Sequence, residues 1–224
     1  MAMPRDVGEF LIDCGLQAGR GSDPRPLERL YEHLVAANRT TNLTRITSEE
    51  DYWRLHVADS LSIGLVWPEL LSGPLTVADV GCGAGFPTLP LAWANPALSV
   101  TGIESRGKKA AFVAEQARVL GLSNAAVVEG RARDVARTPA RAGKYDAVLL
   151  RAVGDSARLL RECRGLLKPH AGSRIVFYKT PAAVAAERDR LARDAGKLGF
   201  SVIAPDPFSL PSARGTRQFI LLER

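Results

Sequence analysis

Between Asp79 and Pro87 the chain reads DVGCGAGFP, with glycines at 81, 83 and 85 and one residue between each. Glycine takes positive φ without strain and lets a ligand touch the backbone, so this spacing predicts a tight turn that cradles a nucleotide-like molecule. A dinucleotide turn follows G-x-G-x-x-G and lays amides against a pyrophosphate. Here Phe86 stands where the third glycine of that pattern would be, which favours a ligand without phosphate. Asp79 closes the apolar run before the turn, and Glu104 follows it by 25 residues at the end of a second apolar run. An acid about 20 residues on can accept both hydroxyls of a ribose. The bland alternatives are a glycine turn of some other nucleotide fold and an exposed Glu104 that opens a helix. Cys82, inside the turn, reads as a small filler rather than a nucleophile. His56, Asp59 and Ser60 lie too close on one helix to line up as base, orienter and nucleophile. They read as a helix-face group that holds neighbouring elements or frames the mouth of the site.

Such a turn works only at the carboxyl edge of a sheet. Leu75–Val80 reads as a buried strand, and Leu89, Leu91, Ala92 and Trp93 mark the helix behind the turn, with Pro87 suited to its first turn. Leu98–Ile103, Ala125–Glu129, Tyr145–Leu150 and Arg174–Tyr178 read as further strands. Helices are expected from Ser105 to Leu120, from about Ser156 to Leu167 and from Ala182 to Leu198. Phe200–Ala204 and Gln218–Leu222 form a final pair joined by a Pro- and Arg-rich loop. This alternation predicts a Rossmann-like α/β fold of about seven strands, mostly parallel, with an antiparallel last strand. Residues 1–72 read as a helical extension. Its parts are a short helix through Leu11, a second carrying Leu27, Leu30, Tyr31 and Leu34, a polar turn at Asn42-Leu43-Thr44, and a third helix from Ser48 to Ile63. Gly19-Arg20-Gly21 interrupts the first two, and Ser22-Asp23-Pro24 starts the second. Gly73-Pro74 then opens a ligand-binding domain over 73–224.

Of the 224 residues 46% are hydrophobic, ample for a core, yet no run approaches the ~18–20 apolar residues of a membrane helix. The N-terminus lacks the basic start and apolar core of a signal peptide. Cys14, Cys82 and Cys163 are odd in number and far apart, which suits a reduced, cytoplasmic protein without a metal site. The formal charge of +6 is uneven. Residues 1–72 hold 7 Lys+Arg and 11 Asp+Glu, whereas 73–224 hold 23 and 13. That asymmetry points to an anionic partner, nucleic acid first, unless arginine is simply the favoured surface residue of this chain.

The D-x-G-x-G-x-G pattern resembles motif I of the S-adenosylmethionine-dependent methyltransferases, whose cofactor has no phosphate but carries an amino-acid end, a ribose and an adenine. From about Leu27 onward the chain further resembles the bacterial small-subunit ribosomal RNA guanine-N7 methyltransferases (RsmG, also called glucose-inhibited division protein B). The matching pieces are Asn42-Leu43-Thr44, His56-x-x-Asp59-Ser60-Leu61, the turn through Phe86-Pro87, Ser105-x-x-Lys108-Lys109-x-x-Phe112, Arg151-Ala152-Val153 and Arg217 before an apolar strand.

The resemblance implies a class I methyltransferase fold that transfers the methyl group of S-adenosylmethionine, leaving S-adenosylhomocysteine, to N7 of a guanine in 16S ribosomal RNA. It implies that Gly81 and Phe86 line the cofactor within the turn of Asp79, Gly83 and Gly85. Glu104 would hold the ribose, Ala132 and Arg133 would flank the adenine, and Arg151 would line the cofactor or target site. N7 is a lone pair, so no general base is required and the work is positioning. Arg151 and Lys179 are the candidates for the pocket wall and phosphate contacts. The alternatives are an ion pair of Arg151 with Asp146 or Asp155 and a solvated strand end at Lys179. Arg106, Lys108, Lys109, Arg214 and Arg217 are candidates for RNA backbone contacts. The partner would be 16S RNA or the small-subunit particle, the protein a monomer. Against the family pattern the chain has Cys82, Thr88, Leu150 and Thr180, and Glu104 where Asp is commoner. Thr88 is expected to narrow the turn beside the methionine end, and Leu150 and Thr180 to lie where the base enters. A small-molecule methyltransferase and an RNA-binding assembly factor without transfer activity are the rival readings.

Overall fold

The computed structural model describes residues 2–17, 23–151 and 154–224. The Gly19-Arg20-Gly21 interruption, Ser22 and Ala152-Val153 lie outside the described residues. Eight strands form the sheet: β1 (Thr76–Val80), β2 (Ser99–Glu104), β3 (Ala125–Glu129), β4 (Ala147–Arg151), β5 (Arg174–Lys179), β6 (Ser201–Ile203), β7 (Phe208–Ser209) and β8 (Thr216–Glu223). The order is β3-β2-β1-β4-β5-β8-β6, with β7 paired to the start of β8. β1 to β5 are parallel, and β8 slots in antiparallel between β5 and β6. β7 is the strand beyond the expected seven; two residues are too short to show a period of two.

Side chains on a strand alternate between faces, and the two cores of the molecule follow that alternation. Val77, Leu149, Val176 and Leu221 face one core, while Ala78, Val148, Leu150, Ile175, Phe177 and Ile220 face the other. The second core is closed by α7 (Ala132–Val135), α8 (Ser156–Cys163) and α9 (Pro181–Gly196). The first is closed by α5 (Thr88–Ala94), α6 (Gly107–Val119) and the N-terminal extension. The extension holds α1 (Arg5–Asp13), α2 (Arg25–Asn38), α3 (Glu49–Asp51) and α4 (Asp59–Leu61). Leu11, Leu27, Leu30, Leu34, Tyr52 and Trp53 are buried in the same core as the sheet residues. The extension is thus the cover of one sheet face, braced internally by Tyr52 Oη donating to Leu27 O at 2.7 Å and tied to β5 by Tyr178 Oη donating to Ser60 O at 3.0 Å.

The helix expected from Ser48 to Ile63 starts as foreseen, with Ser48 Oγ accepting from Asp51 N at 3.2 Å. It then departs from α geometry. α3 and α4 are single turns on either side of a π-helical stretch, Tyr52–Ala58, and a 3-10 turn, Ser62–Leu65, ends the run. A π turn holds an extra residue, so faces assigned from α spacing slip, and such stretches recur at functional sites. Among the described residues no helix is long and apolar enough to cross a membrane.

Leu30 is wholly buried on α2. Leu30→Ala is expected to lower the unfolding free energy by about 2–5 kcal/mol. Because the extension shares its core with the sheet, urea unfolding followed by circular dichroism and by tryptophan fluorescence should still give one coincident transition. Two separate transitions would show an extension that folds by itself.

Candidate active site

The glycine turn sits at the carboxyl end of β1. Gly81, at φ +76°, donates its amide to Ile103 O at 2.8 Å and so turns the chain over the tip of β2. Gly85, at φ +97°, lies so close to α5 that a Cβ would stand 2.6 Å from Leu89 Cδ1. Phe86–Pro87 is a cis peptide, and Pro87 is the residue before α5 rather than within its first turn. Asp79 does not reach a ligand. It is fully buried, and its Oδ2 accepts from Thr88 N at 3.1 Å and Thr88 Oγ1 at 2.6 Å, which pins the start of α5 to β1. Its Oδ1 has no partner among the described residues, and burial pushes its pKa up to about 6 against the opposing pull of the Thr88 bonds. Thr88 is equally buried and spends its hydroxyl on Asp79, so it does not narrow the turn. Gly102, inside β2, makes room for this packing, since a Cβ there would lie 2.9 Å from Cys82 Sγ.

Two cavities open on either side of the turn and share Gly81 and Glu104. The first, of about 330 Å³, is lined by Ile103, Ala132, Arg133, Arg158 and Leu159. The second, of about 560 Å³, is lined by Gly83, Phe86, Arg151, His56, Thr44 and Lys109. Glu104 Oε2 accepts from Gly83 N at 3.0 Å and Oε1 from Arg106 N at 2.9 Å. Each carboxylate oxygen has two lone pairs, so one on each remains for a hydroxyl. A carboxylate at the neck with a cavity on either side fits a ribose held between an adenine and an amino-acid end. Of the turn residues singled out by sequence, Gly81, Gly83 and Phe86 line these cavities; Asp79 and Gly85 only shape the turn.

The second chamber is walled by a buried charge cluster. Arg151, at the end of β4, donates from Nε to Asp59 Oδ2 at 2.9 Å, has Nη2 2.8 Å from the same oxygen in an ion pair, and donates from Nη2 to Leu55 O. Arg217, at the start of β8, donates from Nε to Asp59 Oδ1 at 2.9 Å. The partner of Arg151 is therefore Asp59. Asp146 is taken by Thr76 and Lys168, and Asp155 by the start of α8 and Arg190. His56 does not bond Asp59. Its ring stacks on Phe86 with centroids 4.1 Å apart, and Nε2 meets Thr44 Oγ1 at 3.0 Å. Burial, then the charge of Arg151, lowers its pKa to about 3.

Lys179 is not brought to this chamber. It pairs with Glu187 at 3.1 Å, and Glu187 also accepts from Ser156 Oγ at 2.5 Å. Leu150 is buried in the other core, and Thr180 caps α9 through Ala183 N at 3.3 Å, so neither stands at a base entrance. Arg214 pairs with Glu50 and Asp51. Sequence reading missed Gly102, Arg158 and the part of Thr44 as chamber wall; His56, read as holding neighbouring elements or framing the mouth of the site, lines the chamber. A glycine inside a strand and the Asn42-Leu43-Thr44 and His56 motifs were the available signals; for Arg158 there was none.

A family model described as "GidB: rRNA small subunit methyltransferase G" matches residues 24–198. A "Ribosomal RNA small subunit methyltransferase G" of Synechococcus sp. (strain JA-3-3Ab) is 36% identical over 218 residues, 96% of this chain and 82% of that protein. One of Deinococcus radiodurans is 38% identical over 208 residues, 91% and 80%. Among solved structures, cofactor-bound Rv0187 from MTB superposes with a TM-score of 0.64 at 22% identity, covering 100% of this chain and 98% of that one. Aeropyrum pernix fibrillarin with natively bound S-adenosyl-L-methionine gives 0.56 at 16% identity, covering 74% and 73%. Both share the fold.

Two measurements test the wall. Asp59→Asn leaves two guanidinium groups facing a neutral amide, and breaking a buried pair costs about 3–5 kcal/mol; the urea midpoint should fall accordingly. The folded-state pKa of His56 lies below its ordinary 6.5. The unfolded chain therefore binds the proton first, and stability present above pH 6.5 is lost as pH falls towards 3. Asp79, with its pKa raised from 3.8 to about 6, runs the other way: its contribution is full below about pH 4 and is lost as pH rises to 6. Between pH 7.5 and 6 the His56 effect dominates, so unfolding free energy should fall in the wild type, whereas in His56→Gln, where the Asp79 effect is left, it should not fall. Equal slopes would refute the assignment.

Proposed function

The chain belongs to the rRNA small subunit methyltransferase G family, and on that premise we propose that it transfers a methyl group from S-adenosylmethionine to N7 of a guanine in 16S ribosomal RNA. The observation that carries the choice of acceptor is the protonation chemistry of the second chamber. His56 is held neutral with a pKa of about 3. Burial pushes the Cys82 thiol well above its usual range. Neither His56 nor Cys82 is thus poised to take a proton near neutral pH. A hydroxyl or an exocyclic amine must lose a proton on methylation; guanine N7 offers a lone pair and loses none. Such a base must be unstacked or in a loop, because the deep major groove of an RNA helix hides its N7 edge.

The residues divide the work. Glu104 would accept the ribose hydroxyls, Ile103, Ala132 and Leu159 would enclose the adenine beside Arg133, and the Gly81 to Gly83 backbone would face the amino-acid end. Bound there, the cofactor supplies a methyl group on positively charged sulfur. Arg151 is held by Asp59 and Leu55 through Nε and Nη2, and its Nη1 has no partner among the described residues. That amino group is placed to donate to an acceptor on the base or its phosphate. Asp59 fixes the direction of Arg151 and so acts as a positioning residue. Phe86 and His56 form a flat apolar wall opposite.

Calorimetric titration of S-adenosylmethionine should show binding to the wild type, with Glu104→Ala weakened about 10- to 100-fold for loss of charge-assisted bonds and Gly81→Val without detectable heat. Tritiated-methyl transfer to 16S RNA should be flat from about pH 6 to 9, because the N7 lone pair has no proton to lose. Arg151→Ala should lower the rate about 10²- to 10³-fold. A bell-shaped profile that disappears in His56→Gln would sink the N7 assignment in favour of an acceptor that needs a base.

A further inference from the structure

The second chamber does not end at the glycine turn. It continues outward through two further concavities, of about 480 and 320 Å³, and Arg106 and Lys109 line all three. Together they form a trough that runs between the loop 40–46 of the extension and the start of α6. Its lining is Thr40, Thr41, Asn42, Arg45, Arg106 and Lys108, with Leu43, Thr44 and Lys109 shared along it. The two outer concavities hold no acidic residue.

Most arginines elsewhere near the site are neutralised. Arg214 lies against Glu50 and Asp51, Arg217 against Asp59, Arg54 against Asp6 and Glu50. Among the described residues the side chains of Arg45, Arg106 and Lys108 have neither an ion-pair nor a hydrogen-bond partner, and all three are exposed. Lys109 gives one N–H to Leu43 O at 3.1 Å, which leaves two of its three donors. The loop that carries Arg45 is rigidly set: Asn38 Oδ1 accepts from Leu43 N at 2.8 Å and Thr44 N at 3.0 Å, and Asn38 Nδ2 donates to Thr44 O at 3.0 Å. The cations are therefore presented on a fixed track.

We propose that this trough carries the single strand of RNA that flanks the target base, so that the strand enters past Arg45, Arg106 and Lys108 and not past Arg214, whose charge is paired with Glu50 and Asp51. The inference rests on the function proposed above and adds the path. A row of cations without acids matches a phosphate backbone, and Thr40, Thr41 and Asn42 along it offer groups for 2′-hydroxyls and base edges. The trough opens into the chamber that holds Arg151, so a base turned out of that strand reaches the transfer site without crossing a barrier of paired charge. Glu50 and Asp51 already pair with Arg214, so Arg214 offers the strand no unpaired charge.

The test is equilibrium binding of in vitro transcribed 16S ribosomal RNA over a range of salt. Each phosphate contact removed from a single strand lowers the slope of log K against log salt by about 0.7. The Arg45→Ala and Lys108→Ala changes should each flatten the slope by about that amount, and the double variant by about twice it, with urea midpoints unchanged. Arg214→Ala should keep the wild-type slope. The proposal is overturned if the double variant binds with wild-type affinity and slope, or if Arg214→Ala alone flattens it. A wild type that binds S-adenosylmethionine but not the RNA would instead remove the RNA substrate itself, and the path with it.

Discussion

The carboxylate of Asp59 takes two guanidinium groups in a place where it is only 3% exposed. Removing three ionised groups from water is costly, and the geometry must return that cost through close, well-directed bonds. Here each oxygen accepts at 2.9 Å or less. One partner comes from the tip of a parallel strand in the middle of the sheet, the other from the antiparallel strand near its edge, and the acid from the cover. No two of these elements can slide without breaking a bond to the third. The position of Arg151 in the chamber, and hence the shape of the chamber, follows from this one acid.

A second constraint acts beneath the turn. Asp79 is often expected to face a ligand when it precedes a glycine turn, yet here it binds the first residue of α5. The result is a rigid hinge of backbone between β1 and α5 that leaves Gly81 and Gly83 at the cavity surface. Thr88 belongs to this arrangement as a donor. Its departure from the family pattern is thus absorbed below the turn, where Gly102 gives it room.

The sheet, its direction and the glycine turn were legible in the sequence because they rest on local signals: alternating or continuous apolar runs, glycine spacing and an acid at the next strand end. The neck at Glu104 was legible for the same reason, while Ala132 and Arg133, which line the first cavity, were singled out through the family resemblance. What escaped was set by packing. The π-helical stretch turned His56 and Asp59 to different neighbours, which no α-periodic reading could give. The pairing of Arg151 with Asp59 spans 92 residues and that of Arg217 spans 158. Composition can count such charges but cannot match them, so Lys179, with Glu187 eight residues ahead on α9, looked as free as Lys108.

The cover made by the first 72 residues also bears on how the molecule is assembled. Leu11, Leu27, Leu30 and Trp53 have no sheet to pack against until β1 to β5 exist. Asp59 has no second guanidinium until β8 is added. During synthesis the extension must therefore wait, with apolar stripes and an unmatched acid exposed, for strands made much later. Contacts so distant along the chain slow folding and lengthen the exposure of partly folded states. Quality control in the cell would be expected to meet this protein first through its extension, and a nascent chain cut short before β8 would carry a site that is nearly complete in sequence but lacks the charge that fixes its wall.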